Sequence, residues 1–225
     1  MARLTDMPAS GRANRSGGHV LVLLGIALIL AAAMLVCFNV WNSNRAGKDS
    51  EALLDRLEHA FPDPDQSPTP ADLAEALDPG AEMPTVMLDG VDYVGVISIP
   101  SQGITLPVAS DWSYPLLRQS PCRFSGTASG GDLVICGHNY ATHFSPLKWI
   151  EPGAEVIFTT VDNVEYRYLV STRETVGPNS VEQMILNENN AAQQGVASDW
   201  DLTLFTCNTG GQTRCAVRCV RTANG

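Results

Sequence analysis

Residues 201–221 read DLTLFTCNTGGQTRCAVRCVR. Two apolar runs, Asp201–Cys207 and Arg214–Arg221, flank a short loop that contains Gly210-Gly211. The pattern predicts two strands joined by a tight connection. In the second strand, period-2 alternation sends Cys215 and Cys219 to one face and Arg214, Ala216 and Arg218 to the other. Cys207 ends the first strand and Arg214 begins the second, so a thiol and a guanidinium meet at one end of the pair.

Working outward, the preceding residues repeat the strand signal. Tyr93–Pro100 (YVGVISIP) alternates and stops at proline, and Ile104–Val108 follows after a glycine turn. Asp132–Cys136 (DLVIC) is a short buried-looking strand. Glu155–Thr160 and Glu165–Thr172 are separated by Val161-Asp162-Asn163-Val164, a hairpin turn. Ser180-VEQMILNE reads as a short helix with Asn179 or Ser180 as cap, and Phe144–Ile150 as a helical turn. About eight short strands in so few residues leave too many bare edges for an open sheet. The expected fold class is mainly β, a closed eight-stranded, antiparallel-rich barrel with short helices.

Only two histidines, His138 and His143, fall in this region. His138 follows the strand LVIC and one glycine, which puts it at a strand end. A cysteine, a histidine and an arginine at neighbouring strand ends can converge on one patch. The thiol attacks a peptide carbonyl, the imidazole moves the proton, and the guanidinium stabilises the tetrahedral oxygen or fixes the substrate backbone. Catalytic roles are therefore expected for His138, Cys207 and Arg214, and groove roles for Asn139, Tyr140, Thr206 and Arg218. His143 reads as a solvent-exposed or loop-packing histidine. A metal site is not expected, because Cys215 and Cys219 on one strand stand about 13 Å apart. No phosphate loop or dinucleotide fingerprint is present, and no cofactor is expected. A disulfide between Cys122 and Cys136 is permitted outside the cell.

Charge and apolarity are unevenly spread along the 225 residues, whose formal net charge is -10. Twelve acidic residues and one basic residue, Arg56, lie between Asp49 and Asp92; from Tyr93 onward there are eleven acidic and eight basic. This acidic balance excludes a nucleic-acid binder. Val20–Phe38 is a run of nineteen residues without a charged side chain, roughly 28 Å as a helix, enough to span a bilayer. Arg3, Arg12 and Arg15 precede it, which puts the N-terminus in the cytoplasm and the rest of the chain outside. The expected organisation is a cytoplasmic tail (1–19), a transmembrane helix (20–38), an acidic extracytoplasmic stem (39–90) and a catalytic domain (91–225). Within the stem, Ser50–Ala60 predicts a short helix capped by Asp49 or Ser50, with Leu53, Leu54 and Leu57 as its apolar edge. Pro62–Pro70 is a stiff proline-rich linker, and residues 70–80 suggest another turn or two of helix. The stem is either a solvated spacer or a regulatory segment folded over the active groove.

Thr203-Leu204-Phe205-Thr206-Cys207 resembles the TLxTC signature of sortases, the cysteine transpeptidases of Gram-positive cell surfaces. Cys136-Gly137-His138-Asn139-Tyr140 resembles the histidine segment of that family, and Tyr93–Pro100 its first barrel strand. The resemblance covers about residues 91–221. It implies a sortase-type barrel and a two-step reaction, with Cys207 as nucleophile, His138 as general acid/base and Arg214 as the essential arginine. The partners it implies are a C-terminal sorting-motif peptide and an amine, from a peptidoglycan precursor or, in pilin-polymerising members, a pilin lysine. The cell-wall amine is the leading expectation. The pilin lysine is the alternative, as is a hydrolytic secreted cysteine peptidase, although papain-like enzymes place cysteine before histidine in the chain. Asp63-Pro64 and Asp78-Pro79 lack the aromatic that anchors the lid of pilin-polymerising sortases. The Asp111–Leu117 region and the helix at Ser180 lean toward a class B-like member.

Overall fold

In the computed structural model of the chain, the described residues are 15–61, 78–187 and 200–222. The chain divides into two units, Met1–Asn42 and Ser43–Gly225. Helix α1 (Arg15–Glu58) begins in the first and ends in the second. Its most apolar 18-residue window has a mean hydropathy of 3.1 and no buried residues. The helix is long and apolar enough to cross a membrane, which fits a type II anchor with the catalytic domain outside.

The sequence predicts a break after Phe38 and a new helix from Ser50, but α1 is continuous. The physical reason is that residues 39–49 contain no proline and one glycine, Gly47. Arg45 and Asp49 add an i,i+4 pair at 3.8 Å. Nothing there stops a helix already nucleated by the apolar run. Ser50 is therefore an interior helical residue rather than a cap. The proline-rich linker and the turn expected up to residue 77 lie outside the described residues.

The second unit is a barrel. Its strands are β1 (Val86–Leu88), β2 (Val91–Ile99), β3 (Ile104–Ala109), β4 (Cys122–Ser125) and β5 (Leu133–Cys136), followed by β6 (Glu155–Thr160), β7 (Glu165–Val176), β8 (Leu202–Cys207) and β9 (Arg214–Arg221). The order β2-β3-β4-β5-β8-β9-β7-β6 closes through β2–β6, giving eight strands in the ring, with β1 added to the start of β2. The β3–β4 and β5–β8 pairings are parallel and the others antiparallel. β1 and β4 were not expected. β1 falls inside the acidic stem and joins β2 through Asp89-Gly90, whose φ values of 53° and 79° suit a tight hairpin turn.

Ile97, Ile99, Leu133, Ile135, Phe158, Leu202, Leu204 and Val217 fill the barrel and are fully buried. Cys215 and Cys219 point into this core, as the alternation predicts. A second apolar cluster lies on the outside of the wall, where Leu53, Leu54 and Leu57 of α1 pack with Tyr93, Val96, Ala109, Cys122 and Cys136. The end of α1 is thus docked onto the barrel rather than solvated. Among the described residues the short α-helices of this unit are α2 (Tyr114–Leu117), capped by the Ser113 hydroxyl, and α3 (Val181–Ile185).

Closure rests on a close backbone approach at Gly95, where β2 meets β6. A Cβ there would stand 2.1 Å from the Thr159 carbonyl oxygen, and φ is 156°. A main-chain atom cannot yield as a side-chain tip can. Gly95→Ala is expected to destabilise the domain by roughly 3 kcal/mol. A urea midpoint unchanged from the parent would contradict this account of the closure.

Candidate active site

The site is built from the ends of three adjacent strands. β5 and β8 run parallel with Cys136 level with Phe205, and the Gly137 N–H donates to the Phe205 carbonyl at 3.0 Å. β8 and β9 are antiparallel, with Cys207 directly opposite Arg214. His138 follows Gly137 just past the end of β5, the strand on the other side of β8, so all three residues belong to neighbouring strand ends.

Local sequence explains each position. A Cβ on Gly137 would lie 2.4 Å from the Phe144 ring, which is fully buried, so glycine is what lets the chain leave β5 over that ring. The Cys207–Arg214 connection is tied by the Asn208 N–H to the Thr213 carbonyl at 2.9 Å, and Gly210 and Gly211 both adopt positive φ. One end of the Arg214 guanidinium is held by its own loop, Nη1 donating to the Gly211 and Thr213 carbonyls at 2.8 and 3.2 Å, while the residue borders the cavity. Cys207 is exposed.

A cavity of about 240 Å³ leads to this row. Trp112, Tyr114 and Leu117 form one wall, Val181 and Met184 the other, and Cys207 and Arg214 the end. Trp112, Phe124 and Phe205 connect ring to ring at 5.6 and 5.3 Å, carrying the aromatic wall down to β8. The groove is apolar along its length and charged at its end.

His138 is half-buried, and the Tyr140 ring stacks on it at 3.8 Å and 12°. Burial first, and then the nearby Arg118 charge, hold its pKa below the ordinary histidine value. Its Nδ1 is buried with no partner among the described residues, which leaves Nε2 as the open nitrogen.

The other expected residues separate. Thr206 is paired with Cys215 and faces inward, so only its backbone can serve the groove. Asn139 Oδ1 accepts from Lys148 Nζ and is spent on the loop. Tyr140 belongs with His138 rather than with the cavity wall. Arg218, expected to line the groove, does not. It donates to Glu174 at 2.7 Å, to Thr203 Oγ1 at 2.8 Å and to the Met184 and Gln183 carbonyls, and lies over Trp200. With every arm occupied, it fastens α3 to β9. His143 is fully buried, and Trp112 forms part of the groove. An exposed tryptophan close to tyrosine was the available signal for the wall; nothing local marked Arg118.

A closed barrel with an exposed thiol opposite an arginine, and a histidine just past the end of the neighbouring strand, fits a cysteine-dependent acyl transferase. The sortase domain family matches residues 97–222, over half of the chain, and the chain belongs to that family of cysteine transpeptidases. Among solved structures it is similar to sortase C1 from Streptococcus agalactiae, with 27% identity, a TM-score of 0.52, and coverage of 68% of this chain and 77% of that one. It is also similar to sortase C from Clostridium perfringens SM101, with 19% identity, a TM-score of 0.49, and coverage of 78% and 90%. No curated protein matches the chain. The Streptococcus agalactiae structure carries a sortase C name, from which the class B-like lean gains nothing.

Burial pushes the His143 pKa down to about 4, against a weaker opposing contact from the Ala46 backbone. The folded state therefore prefers neutral His143. The stabilisation is complete above the unfolded value near 6.5 and is lost as pH falls through 4, a change on the order of 3 kcal/mol. Thermal melts between pH 7 and 4 are expected to show a shallower acid decline in His143→Gln than in the parent. Identical slopes would remove His143 from the acid response.

Proposed function

We propose that this enzyme is a pilin-polymerising sortase, joining a sorting-motif carbonyl to a lysine of another subunit. What supports the transpeptidase chemistry is the exposed Cys207 thiol directly opposite Arg214, with His138 just past the end of β5, the strand on the other side of β8. The extended substrate lies in the apolar groove, with an aliphatic side chain against Trp112, Val181 and Met184. The Cys207 thiolate attacks the scissile carbonyl, and the Arg214 guanidinium stabilises the tetrahedral oxyanion. Protonated His138 delivers its Nε2 proton to the departing amine as the C–N bond breaks and the thioester forms. Neutral His138 then takes a proton from the incoming amine, whose nitrogen attacks the thioester and releases the thiolate.

Burial and Arg118 favour neutral His138, so the imidazolium needed for the first step is a minority at neutral pH. The lysine acceptor is favoured over the cell-wall amine by the similarity to a sortase C1 at 27% identity. The chain departs from lidded members, since Asp78-Pro79 is followed by glycine and the Asp78 carboxylate is spent on the Gly80 N–H at 3.0 Å. The groove is thus proposed to act without an aspartate–proline–aromatic anchor.

Cys207→Ala is expected to lose thioester capture of a sorting peptide entirely. Arg214→Ala should lower kcat by about 10²–10³, with Arg214→Lys recovering only part, because an ammonium cannot reproduce the guanidinium fork. Mass spectrometry of products formed with a lysine-bearing pilin segment, a cross-bridge amine and water as competing acceptors separates the readings. An isopeptide to lysine supports the proposal. Exclusive transfer to the cross-bridge amine, or hydrolysis alone, overturns the acceptor assignment.

A further inference from the structure

One face of α1 meets the loop that carries His138. Ser43 Oγ accepts from the Ala141 N–H at 3.1 Å, and the Thr142 hydroxyl donates to the Ser43 carbonyl at 2.8 Å. One turn on, a Cβ at Gly47 would come 2.9 Å from Thr142 Cγ2, so the loop lies close on the helix at its glycine. Ser50, 1% exposed, donates its single hydroxyl proton to the Gln119 carbonyl at 2.5 Å. The 3.1 Å contact between Ser50 Oγ and His143 Nε2 must then be donated by His143, which places a proton on Nε2. The His143 ring meets Tyr140 edge-on at 5.5 Å, and Tyr140 stacks on His138.

We infer that the helix segment Ser43–Ser50 is a positioning element for the reaction, holding the His138 imidazole beside Cys207 through His143 and Tyr140. The inference rests on His138 being the acid/base proposed above. Ser43, Gly47 and Ser50 recur at spacings of four and three and share one helical face, as an interface requires. The small residues let the loop approach. The two serines supply polar partners that the loop backbone and the buried imidazole would otherwise lack. Ser50 also reaches the Gln119 carbonyl, one residue beyond Arg118, so one hydroxyl joins the two segments that flank His138. The groups facing His138 are Arg118 after α2, and Tyr140 with His143 on its own loop. Holding the ring half-buried against Tyr140 keeps water from it. Releasing the loop hydrates the ring and moves its titration upward toward 6.5.

The test uses the full chain in detergent micelles, with Ser50→Ala, Ser50→Thr, Tyr140→Leu and the exposed control Glu51→Gln. Thioester formation by the parent comes first; its absence fails the functional reading, and the His138 resonance alone then tests whether the helix holds the ring, an unmoved titration in Ser50→Ala and Tyr140→Leu overturning the inference. Given an active parent, Ser50→Ala and Tyr140→Leu are each expected to lower kcat about tenfold with KM within twofold, since small misplacements of a reacting group cost rate. The acid limb of kcat/KM, and the His138 resonance followed by NMR, should shift upward in both. Ser50→Thr restores the hydroxyl and is expected to recover most of the rate, while Glu51→Gln matches the parent. Parent-like kcat and an unmoved pH profile in Ser50→Ala and Tyr140→Leu would overturn the inference. So would a loss confined to melting temperature. If Ser50→Ala does not fold, Tyr140→Leu alone decides between these outcomes.

Discussion

The parallel pairing of β5 with β8 is the constraint on which the rest of the site depends. Its ladder sets Leu133 and Ile135 against Leu202 and Leu204, all fully buried inside the barrel. A slip of β8 by one residue would turn Leu202 and Leu204 outward and bring Thr203 inward. Core packing therefore penalises any register other than the observed one. The same ladder brings the end of β5, which leads into the loop of His138, beside the end of β8 that carries Cys207. Hydrophobic burial, which has no direction of its own, is converted by strand periodicity into the placement of these two strand ends side by side.

Antiparallel pairing of β8 with β9 adds the third group by a shorter route. The connection is tight enough that Arg214 must return directly opposite Cys207. This local half of the site was legible in the sequence, because a two-glycine loop between alternating strands leaves little choice of register. The parallel half was legible only as a strand-end position for His138. Which strand lies beside β8 depends on a contact almost seventy residues away in the chain, and no local pattern encodes it. β4 was missed for a related reason. Its four residues, CRFS, contain an arginine and a serine, and they become a strand only because β5 offers a ladder.

Arg218 shows where the alternation argument stops. Period 2 correctly sets it on the face of Arg214, four residues away, yet its surroundings differ completely. Arg214 opens onto a cavity, whereas Arg218 is 7% exposed and surrounded by Glu174, Thr203 and two carbonyls of α3. Burying a guanidinium is tolerable only when its donors are matched in this way. The matching partners come from β7, β8 and α3, so sequence reveals the face but not the company. The result helps the groove all the same, because Arg218 anchors the helix whose Val181 and Met184 form one wall.

The end of α1 carries the same lesson to a segment that composition describes as a spacer. Acidic residues dominate its surroundings, but Leu53, Leu54 and Leu57 bury against the outer wall of the barrel. That apolar stripe was readable, and it requires a partner surface. What it could not reveal is that the preceding turns would be occupied by Ser43, Gly47 and Ser50 facing a loop. A serine before an apolar helical run reads as a cap when a helix is expected to begin there. Inside a continuous helix the hydroxyl is no longer needed by its own backbone and is free to bond elsewhere. Ser50 uses that freedom on Gln119 and His143. Continuity of the helix through residues 39–49 is thus what turns two capping-type residues into contacts with the active-site loop.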